Sequence, residues 1–464
     1  MTPAQDKEIT LESFADNASI PTSATTTKSS KPTEADMIFY YQRLFPFRQI
    51  FQWLSHSPKP TQDFTMREFA YEYRSGAYSR YNSFSTLDDF KKSVILANPT
   101  RFEIGAKYNI NPNQRKHVPK SALKPVSKEL VFDIDLTDYD GIRTCCAGTD
   151  ICEKCWRFIQ VGSKILDGAL RQDFGFENLV WVFSGRRGAH CWVSDARARE
   201  LDEGARRGIV EYLDVLGGKS GGGNKGGMNI KRPFHPHVER SFEILKGEFT
   251  SIVLDEQNPW VTEFGSDDNW NKVDELLGFI PNKQLQLELK NKWKSQTRYS
   301  DSRSKWEDLN SVARSVLKNN SQVNQLNEAK KDIIIYYMYP RLDVEVSRQL
   351  IHLLKSPFCI HPSTGNICVP FDPTKNISGN NQDDEYGFNP MHAPNLKQIQ
   401  NELENYMDED NNEDDDGEHK IQDFEKTSLK PYINYFSKFV NELIKTELKG
   451  IGSKRERDDD NLEF

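Results

Sequence analysis

No apolar run in this chain approaches the roughly 18 residues needed to span a bilayer. Residues 1–33 also lack the basic-then-apolar layout of a secretory signal, so neither a membrane protein nor an exported one is expected. Cysteine is scarce: there are seven in 464 residues, four of them crowded into residues 145–155. An odd, clustered set in a chain without a signal argues for a metal site rather than a disulfide framework. No internal repeat is visible. Net positive charge is missing too. The formal charge is −8, yet residues 408–418 (DEDNNEDDDGE) hold eight acids and no base, which leaves the remainder neutral. The acid therefore belongs to a local insert, and the neutral body still carries basic pairs at Arg186-Arg187 and Lys231-Arg232.

What is present is a globular composition, 36% hydrophobic and 28% charged, long enough for one large domain or two to three ordinary ones. At its centre, Leu130, Phe132, Ile134 and Leu136 alternate with Val131, Asp133 and Asp135, the period of a strand with one face in a core. Asp133 and Asp135 then share a face, about 6.5 Å apart along the strand. Paired carboxylates on one rigid edge ask for a divalent cation. The plainer alternative is a strand whose hydrated face happens to carry two acids.

Residues 1–35 read as a disordered, Ser/Thr/Ala/Pro-rich extension. MIFYYQRLFPFRQIFQWL follows with helical spacing and a break at Pro46, then a strand-like run from Thr65, a helix over 87–98 and a strand at RFEIGAKYN. Beyond the central strand come the cysteines, a helix over 156–171, and two strands, 179–183 and 189–193, closed by Ser184-Gly185-Arg186-Arg187-Gly188. Residues 195–213 read as helical and 215–228 as a glycine-rich loop. A helical, polar stretch spans 234–337. Strand character returns where Leu342, Val344 and Val346 alternate with Arg341, Asp343 and Glu345, ahead of a helix over 347–354. The acidic insert (406–422), a C-terminal helix (423–449) and a charged, disordered tail (450–464) complete the chain.

Three constellations carry chemistry. Cys152-Glu-Lys-Cys155 has the spacing of a zinc knuckle, completed by Cys145 and Cys146, with His117 as a possible substitute for one of them. Such a closed site is structural. The glycines and guanidinium forks of Ser184-Gly185-Arg186-Arg187-Gly188, with His190 nearby, suit a polyanion, and beside paired aspartates they suggest metal-bridged phosphates. Asp343 is a distant third acid for a two-metal site, and Lys355 and His361 are candidate triphosphate contacts.

FDID at Phe132, CCAGTDICEKC, FSGRRGAHCW, PRLD at Pro340 and HLLKSPFCIHPSTG occur in an order that resembles the archaeo-eukaryotic primase family, in particular its eukaryotic small, catalytic subunits. The resemblance runs over residues 38–370 and again in KTSLKPYINYF. It implies an α/β (α+β) fold: a catalytic module with a central mixed sheet flanked by helices (36–233 and 338–405), a zinc motif and an inserted helical subdomain (234–337). By the same resemblance Asp133, Asp135 and Asp343 match catalytic acids holding Mg2+ or Mn2+. Cys145, Cys146, Cys152 and Cys155 match the zinc ligands, Ser184, Arg186, Arg187 and His190 the phosphate-binding motif, and Lys355 and His361 the triphosphate contacts. Glu68, Tyr78 and Arg80 match residues near the two nucleotides.

The implied activity is synthesis of short RNA primers from ribonucleoside triphosphates on single-stranded DNA, in the nucleus. The implied partners are an iron-sulfur large primase subunit and the catalytic and accessory subunits of DNA polymerase alpha. Three rivals share parts of this pattern: a repair-type primase-polymerase using deoxynucleotides, a silent zinc-stabilised nucleic-acid scaffold, and a two-metal nuclease. A nuclease attacks with water and has no use for a triphosphate grip.

Overall fold

The computed structural model describes residues 31–217, 230–263, 269–296, 299–375, 388–410 and 421–460, without the side chains of 407–410 and 451–460. Most of the N-terminal extension, the glycine-rich loop and the acidic insert lie outside the described residues.

Two sheets meet at the centre. The first contains β1 (Arg67–Glu72), β2 (Tyr78–Asn82), β3 (Arg101–Tyr108) and β4 (Pro125–Ser127) in the order β2-β1-β3-β4, with β8 (Leu354–Lys355) also paired to β3. The second contains β5 (Leu130–Asp135), β6 (Leu179–Phe183), β7 (Gly188–Val193) and β9 (Pro370–Phe371) in the order β5-β7-β6-β9. The α/β class is as expected, but the β content is not one mixed sheet. Every ladder among the described residues is antiparallel. Two of these ladders follow from hairpins, since the short β1–β2 and β6–β7 connections can only reverse the chain.

β6 and β7 of the second sheet are covered on both faces, which explains their continuous apolar runs. Helix Glu153–Gln172 buries Ile159, Ile165 and Leu170, and the Trp181 indole donates to Asp167 of this helix at 3.1 Å. Helix Phe47–Ser55 brings Trp53 edge-on to Trp192 of β7 and to Phe436 of the C-terminal helix, with ring centroids 5.2 and 5.6 Å apart. Residues 236–338 are mostly helical and attach through Arg157, which pairs with Glu248 at 2.7 Å and Glu256 at 2.5 Å.

Three expectations change. The strand over 341–346 and the helix over 347–354 do not form. Instead, Asp343 caps a short helix, Val344–Arg348, its Oδ1 accepting from the Glu345 N–H at 3.1 Å, and β8 follows. An aspartate at an N-cap satisfies an otherwise orphaned helix donor, and that local bond overrides the alternating pattern. Residues 195–213 form two helices, Ala196–Arg199 and Glu203–Leu213, the second capped by Asp202. The C-terminal helix, Lys430–Asp460, extends beyond residue 449.

Candidate active site

β5 is an edge strand, paired within its sheet only to β7. Leu130, Phe132 and Ile134 are fully buried, so Asp133 and Asp135 share the opposite, partly open face. Across the ladder Asp133 faces His190 and Asp135 faces Gly188. The third acid arrives at the same strand: the Asp343 N–H donates to the Asp133 carbonyl at 3.2 Å. The Arg341 N–H, two residues earlier, donates to the Tyr139 hydroxyl at 3.1 Å and fixes that approach.

The carboxylates face different partners. Asp135 accepts from Thr137 N–H at 2.8 Å, from its hydroxyl at 2.7 Å and from Arg187 Nε at 2.8 Å. Burial alone would raise the Asp135 carboxyl, but these bonds outweigh it and hold the group below the usual carboxylate range. His190 Nε2 lies 3.7 Å from Asp133 Oδ1. Burial, reinforced by the Lys355 ammonium, pushes His190 down to about 3, so the ring is neutral at physiological pH. Asp343 thus reaches the strand that carries Asp133 and Asp135 through its backbone, while its carboxylate caps helix Val344–Arg348.

The Ser184–Gly188 turn rises beside these acids. Gly185 has φ +88°, and a Cβ there would lie 2.7 Å from the His361 Cβ. A Cβ on Gly188 would fall 2.5 Å from the Ile134 carbonyl. Both glycines are therefore required for close approach. The Ser184 hydroxyl accepts from the Gly188 N–H at 3.0 Å, closing the turn, and its carbonyl accepts from Lys355 Nζ at 2.9 Å. Lys355 belongs to β8 of the first sheet, so this bond spans the two sheets. His361 is pushed down to about 3 by burial and by the positive charge of Lys355 and Arg186. Its Nδ1 accepts from the Ser363 N–H at 3.3 Å, which places the remaining ring proton on Nε2. Arg186 is half-buried and, among the described residues, has no hydrogen-bond or ion-pair partner.

The first sheet adds a second group. Glu103 on β3 is paired across the ladder with Lys355 and accepts from the Tyr78 hydroxyl. Glu68, expected near the two nucleotides, has a fully buried carboxylate. It accepts from Arg80 Nε at 2.8 Å and Nη2 at 3.1 Å, from the Tyr108 hydroxyl at 3.0 Å and from the Tyr81 N–H at 3.2 Å. Glu68 therefore orients Arg80 and does not itself face solvent.

The Sγ atoms of Cys145, Cys146, Cys152 and Cys155 lie within 4.8 Å of one another, a group able to hold a structural metal such as zinc. His117 is not part of it. Cys152 caps helix Glu153–Gln172 and Cys155 lies in its first turn. Gln257, from the helical segment, donates to Cys145 Sγ at 3.4 Å and accepts from the Thr144 N–H at 2.8 Å, fastening that segment to the cluster.

Sequence reasoning passed over Thr137, Glu103, Tyr108 and the neutral state of both histidines. Glu103 was recoverable, because it alternates with Phe102 and Ile104 in β3. The histidine protonation had no sequence signal, since it follows from burial next to Lys355.

A family model described as DNA primase small subunit matches residues 132–373. The DNA primase small subunit of Saccharomyces cerevisiae is 46% identical over 436 residues, covering 93% of this chain and 97% of that protein. Its Schizosaccharomyces pombe counterpart is 43% identical, covering 92% of each chain, and the Drosophila melanogaster protein is 35% identical, covering 88% of this chain and 91% of its own.

Proposed function

This chain belongs to the DNA primase small-subunit family, and on that premise we propose that it makes short RNA primers from ribonucleoside triphosphates on single-stranded DNA. In this reading a 3'-hydroxyl attacks the α-phosphorus of the incoming nucleotide, the P–O bond to the β-phosphate breaks, and pyrophosphate leaves. Asp133, Asp135 and Asp343 would hold two Mg2+ or Mn2+ ions, and when bound such ions acidify the attacking hydroxyl and neutralise phosphate charge.

The chain's own residues do the rest. Arg186 offers an uncommitted guanidinium to phosphate oxygens, and Lys355 adds a point charge next to it. His190 and His361, neutral at physiological pH, serve as hydrogen-bond donors and not as fixed charges. Ser184 and the two glycines shape the turn, and Glu68 holds Arg80 in place. Tyr78 and Arg80 lie on the first sheet, where a second nucleotide would be held at initiation.

The observation that carries this reading is the convergence of distant segments. The Asp343 backbone N–H is bonded to the Asp133 backbone carbonyl, Arg187 grips Asp135, and Lys355 reaches the Ser184 carbonyl. By the family resemblance, the setting is the nucleus, with an iron-sulfur large subunit and polymerase alpha as partners. The test is unprimed incorporation on a homopolymer template, with and without the large subunit. Asp133→Ala and Asp135→Ala should abolish synthesis while folding and subunit assembly persist. Synthesis retained by either purified variant defeats the assignment. Ribonucleotides should outcompete deoxynucleotides in the same assay.

A further inference from the structure

Residues 104–128 contain no carboxylate and six lysines or arginines, in a chain whose net charge is −8. Two of the six are occupied: Lys107 pairs with Asp63 at 2.7 Å, and Lys128 is buried. Of the other four, Lys116, Lys120 and Lys124 are exposed and Arg115 is half-buried. Among the described residues none of the four has an ion-pair partner. A run of bases left without acids is set to receive an external polyanion.

The loop bearing them is held in a defined position. Asn113 exchanges hydrogen bonds with the Ser83 backbone, accepting at 3.1 Å and donating at 2.9 Å, and Asn111 donates to the Thr65 carbonyl at 3.1 Å. Asn109 closes the base of the loop by accepting from the Lys124 N–H at 2.8 Å and donating to the Ala122 carbonyl at 3.0 Å. The 3-10 turn Pro112–Lys116 is thereby held at the end of β2.

An aromatic ring stands at that junction. Tyr81 is only partly buried and carries two guanidiniums over its ring, Arg80 at 5.1 Å and Arg115 at 5.8 Å from the centroid. Its φ is +66°, a left-handed conformation that a bulky aromatic residue rarely adopts. The Glu68 carboxylate on its N–H and the Tyr108 ring 6.2 Å away hold it there. Backbone strain retained at a half-open aromatic flanked by arginines is characteristic of a binding position.

We infer that Lys116, Lys120, Lys124 and Arg115 form a track for the sugar-phosphate backbone of single-stranded DNA, with Tyr81 as the platform on which one of its bases stacks. The inference rests on the template-directed reading above and deepens it by assigning the surface that takes the template. Single-strand binders combine this same pair of features, a basic groove and an aromatic face that accepts any base. The position fits. β4, at the end of the loop, and β8, which carries Lys355, pair with the same edge of β3, at Lys107–Tyr108 and Glu103–Ile104. Five residue steps carry the strand from Glu103 to Tyr108, about 16 Å along β3. A strand laid on the loop therefore leads toward the triphosphate-facing end.

The test is anisotropy of a fluorescein-labelled oligodeoxythymidylate, titrated with the full-length chain over a range of salt, without nucleotide or divalent metal. Replacing Lys116, Lys120 and Lys124 by Gln should weaken binding at least about tenfold at low salt. It should also make the dependence of log affinity on log salt shallower by about 2, since each single-strand phosphate contact contributes about 0.7. Tyr81→Leu should weaken binding about tenfold with the salt slope unchanged, and Tyr81→Phe should restore it. Wild-type affinity and slope in the triple Lys→Gln variant overturn the inference. Equal losses in Tyr81→Leu and Tyr81→Phe overturn the stacking role. Because this titration holds no nucleotide, it reads binding alone: a wild-type chain that binds the oligonucleotide here yet incorporates nothing in the separate unprimed assay refutes the polymerase reading and leaves this surface standing.

Discussion

Glu129, immediately before β5, offers the sharpest test of how the two sheets are held in register. Its carboxylate is fully buried and accepts from Arg67 of β1 at 2.6 and 2.9 Å and lies 3.3 Å from His56 Nε2. Arg67 is 1% exposed and also donates to the Asp63 and Gly105 carbonyls at 3.0 and 3.1 Å. Glu129→Ala would leave a buried guanidinium without its counter-ion, a change that costs about 3–5 kcal/mol. Burial alone would raise the Glu129 carboxyl, but Arg67 and His56 together hold it well below its usual range. The pair's stabilisation is therefore complete above the unfolded value near 4.5 and is lost as pH falls through the lower folded value. Replacing both partners, Arg67→Met with Glu129→Leu, should restore most of the stability. Denaturation monitored by tryptophan fluorescence reads these losses, and primer synthesis by the folded fraction reads alignment. A displacement of about 1 Å between Asp133 and Lys355 is enough for a hundredfold fall in rate. A loss below about 1 kcal/mol in Glu129→Ala, or wild-type synthesis by it, would refute the claim that this pair sets the register.

Other perturbations separate the parts of the site. Gly188→Ala places a Cβ 2.5 Å from the Ile134 carbonyl, so it should part β7 from β5 and abolish synthesis, with thermal melting showing a loss of about 1–3 kcal/mol. Cys152→Ser should lower bound zinc measured by mass spectrometry and weaken folding, and unchanged zinc content would count against the cluster. Burial and then the Arg206 charge push Lys128 down to about 7, so the folded chain binds fewer protons than the unfolded chain between that value and the ordinary one near 10.5. Stability should therefore rise with pH from about 7 toward 10, and Lys128→Met should flatten that rise in denaturation curves. His361→Gln, which keeps a donor, should retain more nucleotide affinity than His361→Leu, and equal losses would exclude a hydrogen-bonding role.

Much of the site was legible because strands announce themselves by alternation. The period-2 pattern through Phe132 and Ile134 put Asp133 and Asp135 on one face, and the β6–β7 hairpin followed from two apolar runs around a glycine-arginine turn. The same rule failed at Leu342, Val344 and Val346, where one N-cap bond from Asp343 diverted the backbone into a helix. Alternation records only which side of a strand meets a core and cannot register a local side-chain bond that competes with it. Glu68 shows a second limit. Its position in β1 was visible, but its burial depends on Arg80, Tyr81 and Tyr108 closing over it, contacts made across 12 to 40 residues of chain.

The placement of the acids and bases has a physical logic. Three aspartates on one rigid sheet would repel one another, and a cluster of bases on a single loop would do the same. Here the acids belong to β5 and the segment docked on its edge, while Lys355 is delivered from the other sheet and the arginines from the β7 turn. The two sheets share one continuous apolar core, so Lys355 reaches Ser184 only when the sheets dock, whereas Arg187 meets Asp135 within the second sheet. The Arg67–Glu129 pair lies at that seam, with one partner from each side. A site assembled in this way has few independent adjustments: moving the seam changes the distance from Asp133 to Lys355 without altering either sheet. Substitutions at the seam should therefore lower turnover out of proportion to their distance from the reacting phosphate. Substitutions of equal size inside either sheet should act mainly on stability.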